Sequence, residues 1–201
     1  MRIALSLLIV LSASFVLAQD QTPANPPAPA HHKLLTPEQQ EYQRQFSAFM
    51  DQRHVLQSKA QKAYSDEMAR EKNDPCNAES TTRGSEECLG RESKLTEANY
   101  TEFTDAIREI LTLKGPQFGS GPTTGPATGP TGTPLTSDEL VKGFDTLESA
   151  WQEYRGLVPK TAYDQYKGGT LAPVFGGECS QMIVRSHMRE LYMIYESPIR
   201  M

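Results

Sequence analysis

Four stretches of the chain return an apolar residue every three to four positions, the period of a helix with one buried face. In the first, Tyr42, Phe46, Phe49, Leu56, Ala60, Tyr64 and Met68 form one stripe, which reads as core packing. Thr36 precedes it as an N-cap, with Pro37 at the first helical position and Gln39 placed to complete a capping box. Asn73, Asp74 and Pro75 end it near residue 72. The second stretch, over 85–114, sets Leu95, Ala98, Phe103, Ile107, Ile110 and Leu111 on a broad apolar face and stops at Gly115 and Pro116. The third opens with Thr136 before Ser137, Asp138 and Glu139, a second capping box. Leu140, Phe144, Leu147, Trp151, Tyr154 and Val158 then fall at alternating steps of four and three, the spacing of a coiled-coil seam.

Pro159 cannot donate its backbone hydrogen bond, so the third helix is expected to stop there, and 161–167 is ambiguous by pattern, compatible with one irregular turn. Gly168 and Gly169 allow a tight reversal. A fourth helical pattern runs from about residue 173 through Cys179, Ile183, Leu191 and Ile194, with Gly176 and Gly177 weakening its start. No alternating strand pattern longer than a few residues occurs. The expected fold is therefore all-α, an antiparallel or orthogonal bundle of about four helices over residues 36–197.

The remaining segments change the picture of where this bundle works. Arg2 stands before an apolar run over residues 3–17, and Val16 and Ala18 supply the small residues of a cleavage site, so residues 1–18 read as a secretory signal peptide. The run is shorter than the ~18 apolar residues of a spanning helix, and no cysteine follows it for lipid attachment. The expected location is the periplasm or the exterior, with no membrane association after cleavage. Residues 19–35 carry Pro23, Pro26, Pro27 and Pro29 and read as a disordered linker. His31 and His32 within it do not make a metal ligand set. Gly-Pro pairs beginning at 115, 121, 125 and 129 are irregularly spaced, which excludes a collagen period and marks 115–134 as a flexible loop.

Formal net charge is −5, and loss of Arg2 with the leader makes it −6. That balance disfavours nucleic acid and anionic membrane and favours basic partners. Cys76 and Cys88 bracket a short polar turn between two helices, so in an oxidising compartment they are expected to form a disulfide. This leaves Cys179 as an unpaired thiol. Cys179 and His187 lie about two helical turns apart, beyond direct contact along a helix, and read as a buried small thiol and a surface histidine. Arg155 reads as structural, its stem over Trp151 and its head paired with a carboxylate near Glu148 and Gln152. Glu86, Glu87, Asp105 and Glu109 sit on solvated faces. With no phosphate loop, zinc-spaced cluster or basic aromatic platform in the sequence, no cofactor is expected and the chain reads as a non-enzyme.

Three pieces stand in order: Cys88 followed by Ala98-Asn99 and Phe103; Trp151 with Tyr154-Arg155; and Gly168-Gly169-Thr170-Leu171-Ala172-Pro173 leading to Cys179 and Leu191. Over about residues 76–195 this resembles the lysozyme inhibitor LprI-like family of small exported helical domains. The family pattern is a cysteine, then LN-x-x-Y, W-x-x-FR, GGT-x-AP and a second cysteine. Ala98 departs from its leucine, and Phe103, one residue beyond the tyrosine position of that spacing, stands for its tyrosine. Pro159 stands where the family carries the partner of the last cysteine, so the resemblance implies that Cys179 is a disulfide half without its mate. It also implies a function: blocking a lysozyme-type muramidase or meeting another basic envelope protein, carried out by an exported chain expected to be a monomer. The alternative is an envelope interaction or scaffolding module with no such target.

Overall fold

The computed structural model describes residues 35–116 and 135–200. Among them the chain is all-α, four main helices packed as a bundle, with no strand. The helices are α1 (Pro37–Asn73), α2 (Thr82–Thr112), α3 (Ser137–Gln165) and α4 (Ala172–Ile194), followed by a single turn, α5 (Glu196–Ile199). The expected signal peptide, most of the proline-rich linker and residues 117–134 of the Gly-Pro loop lie outside the described residues.

Helix starts follow local chemistry. The Thr36 hydroxyl accepts from the Gln39 amide at 3.2 Å, and the Thr36 amide donates to the Gln39 side chain at 2.9 Å. Thr136 and Glu139 repeat this capping box on α3. α2 begins three residues earlier than its pattern suggested, because the Thr81 side chain caps it at the Gly84 amide. α1 ends on Asp74 in the left-handed region, and Gly168, at φ 89°, turns α3 toward α4.

Three expectations are corrected by packing. α3 does not stop at Pro159 but continues to Gln165. Proline costs an intrahelical bond there, yet α4 lies alongside: a Cβ placed on Gly176 would sit 3.6 Å from the Pro159 carbonyl oxygen and 3.4 Å from Tyr163 Cβ. The upper stripe of α1 is not core. Its first fully buried residue is Leu56, while Phe46 remains 44 % exposed in a row of rings with Tyr42 and Phe49. α2 gives way to its connecting loop at this level, with Gly115 against the Phe49 ring. On α2, Leu95 and Ala98 face outward, and the buried line runs instead through Leu89, Thr96, Tyr100, Phe103 and Ile107.

The core joins Ala60 and Ala63 of α1, Phe103 and Ile107 of α2, Phe144 and Trp151 of α3, and Val184, Met188 and Leu191 of α4. Ile199 closes it from α5, so the folded domain extends past residue 197. Gln57 donates to the Pro198 and Arg200 carbonyls at 2.9 and 2.8 Å, and Gln61 donates to that of Ile199 at 2.9 Å. These bonds tie the last turn to the middle of α1.

Candidate functional site

Trp151 is the centre of the first polar cluster. It reaches the core from the α3 seam, 7 % exposed, and the His187 ring of α4 stacks on it with centroids 4.1 Å apart and planes 8° from parallel. His187 is buried, not on the surface as its sequence context suggested. Its Nε2 lies 2.8 Å from Glu148 Oε1 and its Nδ1 3.3 Å from Glu190 Oε2. The Tyr100 hydroxyl of α2 donates to the other oxygen of Glu148, and Gln152 donates to the Tyr100 oxygen at 3.3 Å. Burial, followed by the bond to Glu148 and its charge, holds the Tyr100 hydroxyl protonated far above the ordinary phenol range.

Arg155 closes this cluster. Its guanidinium carbon lies 5.1 Å from the Trp151 ring centroid and 5.5 Å from that of Tyr100, and it pairs with Glu97 of α2. The expected structural role is found with a difference: the guanidinium rather than the stem lies over Trp151, and the carboxylate it pairs with is Glu97 of α2. Three helices are joined here by a stack, a carboxylate and a guanidinium.

A second cluster surrounds Glu67, a fully buried carboxylate of α1. Its Oε1 accepts from Thr96 Oγ1 and Arg185 Nε, each at 2.8 Å, and its Oε2 accepts from Asn99 Nδ2 at 2.9 Å. Arg70 stands 3.3 Å from Oε2 and pairs with Glu92. Burial pushes the Glu67 carboxyl up, but hydrogen bonds from Arg185, Asn99 and Thr96 outweigh it and hold the group below the ordinary glutamate range. Neither Glu67 nor the Glu148 to His187 link was anticipated. The signal was present as polar residues on apolar stripes: Glu67 follows Leu56, Ala60 and Ala63 at steps of four, three and four, and His187 sits between Val184 and Leu191.

The third feature is an open cleft of about 680 Å³ between the C-terminal half of α3 and the first half of α4. Tyr154, Leu157 and Val158 line one wall, and Phe175 and Met182 the other. Tyr154 was expected to continue the buried seam but is 56 % exposed, because nothing among the described elements lies over it. Tyr166 stacks on Phe175, centroids 4.0 Å apart, and closes one end. Cys179 lines this cleft, half-buried rather than shielded as expected. Pro159 is beside Gly176, one helical turn from Cys179 along α4.

The other expected residues are structural. Cys76 and Cys88 form a disulfide between the end of α1 and the first turns of α2, the feature that fits an oxidising compartment. Asn99 serves Glu67, Phe103 is fully buried, and Gly168 and Gly169 form the α3–α4 turn. Glu86, Glu87, Asp105 and Glu109 are exposed. Among the described residues no group of three or more His, Cys, Asp or Glu is placed to hold a metal, and no helix is long and apolar enough to cross a membrane. No family model, curated protein or solved structure matches this chain.

Proposed function

We propose that this protein is an exported, non-enzymatic binding module that blocks a lysozyme-type muramidase. One observation carries the proposal: the residues behind the resemblance to LprI-like inhibitors occupy bracing positions rather than a reactive pocket. Asn99 fixes the buried Glu67, Trp151 and Arg155 join three helices, and Gly168 turns α3 into α4. Glu148 and His187 bond to each other instead of lining the α3–α4 cleft, which fits a scaffold that acts through its surface.

The charge balance supports the same target class. An acidic domain meets a basic muramidase by long-range attraction, and covering the carboxylate cleft keeps the glycan from its catalytic acids. The test is turbidimetric lysis of bacterial cell walls by a hen-type lysozyme with increasing amounts of the purified mature protein. Lysis should slow with dose, and added salt should weaken the effect. An unchanged rate at a large molar excess would refute the proposal and favour the envelope interaction module, a reading that the exposed apolar cleft supports.

A further inference from the structure

The seam of α3 continues beyond the part of the bundle that covers it. Phe144 and Trp151 are buried, but no residue after Trp151 on this helix is. Leu157 is 64 % and Met182 58 % exposed across the cleft, and Tyr154 joins them on the same surface. Isolated apolar side chains on a surface are ordinary, but a contiguous strip running between two packed helices is the shape of an interaction site. The lining residues on α3 run from Tyr154 to Gln165, roughly 17 Å at the helical rise, and a groove between two packed helices accepts a third by interleaving side chains.

Charge selects the occupant. Glu178 is the one charged residue lining the groove; it is exposed and makes no ion pair among the described residues. A second copy of the chain would bring the same acidic net charge, whereas a helix with a basic flank complements both the groove and the domain. We propose that the α3–α4 groove binds a basic amphipathic helix of a partner protein, its apolar face on Leu157, Val158, Phe175 and Met182 and a lysine or arginine beside Glu178. This inference stands apart from the muramidase reading and requires no particular target enzyme.

Cys179 makes the groove report on its own occupancy. It is the only cysteine outside the disulfide and lies in the lining, so an occupant shields it from alkylation. The experiment measures the alkylation rate of native protein with a synthetic helix of about 18 residues built from leucine and lysine at helical period. A matched leucine–glutamate helix serves as control. The leucine–lysine peptide should slow alkylation about tenfold near ten times its dissociation constant, by mass action. Leu157→Asn with Met182→Gln should remove the protection, while Val55→Asn, at an exposed apolar site on α1, should retain it.

Absence of protection, or protection that survives the double substitution, would overturn the proposal. Equal protection by the acidic peptide would overturn its charge basis. Protection that rises with protein concentration in the absence of peptide, together with a dimer in sedimentation, would assign the groove to a second copy instead.

Discussion

The two halves of α3 carry the same apolar spacing and meet opposite fates. From Leu140 to Trp151 the seam faces α2 and α4, and its tryptophan is pinned between His187 and Arg155. From Tyr154 onward α4 flanks the helix, but among the described residues no element covers the outer edge of the pair. Periodicity therefore marks a face suited to burial. Whether that face is buried depends on the number of helices that reach it. The covered half holds the fold together, and the uncovered half leaves the lining of the proposed groove exposed.

The largest expected effect lies in the covered half. Trp151→Ala removes the ring on which His187 and Arg155 rest and should cost about 3–5 kcal/mol in denaturant unfolding. A loss under about 1 kcal/mol would erase the contrast with the exposed half. Glu67→Ala should cost a similar amount, about 3–5 kcal/mol, because Arg185 and Arg70 would lose the carboxylate that compensates them.

The Glu67 effect has a pH signature. Its carboxyl is held below the ordinary value of 4.5, so its contribution is fully present above that value and is lost as pH falls through the lower folded value. Glu67→Gln should flatten the acid limb of the stability–pH curve. An acid limb identical to wild type would show that other carboxylates control it.

Cys76→Ser with Cys88→Ser comes next, at about 3 kcal/mol on the loop-entropy account for a bridge spanning 12 positions. The loss should appear as faster exchange of backbone amides around the α1–α2 turn. The smallest effect belongs to the uncovered half. Leu157→Asn should change stability by no more than about 0.5 kcal/mol, because its side chain is already mostly in water. A loss above about 2 kcal/mol would mean that this half of α3 is structural after all.

Much of the fold was legible because its signals are local. Thr36 with Gln39 and Thr136 with Glu139 declare two helix starts within four residues each, and Cys76 and Cys88 declare a bridge across one turn. Pro159 misled because its cost to an isolated helix is also local, whereas the packing of α4 beside it is not. His187 misled for the same reason: its partners Trp151 and Glu148 come from a different helix.

The sequence by itself determined the presence of four helices, the Thr36 and Thr136 caps, the disulfide pair and the acidic balance, since each depends on residues a few positions apart or on composition alone. Only the tertiary structure decided that Glu67 is a buried hub, that His187 lies on Trp151, that Phe46 and Tyr154 remain exposed and that Cys179 lines a groove. Those facts depend on which helix covers which face, and a periodic stripe encodes the face without encoding its cover.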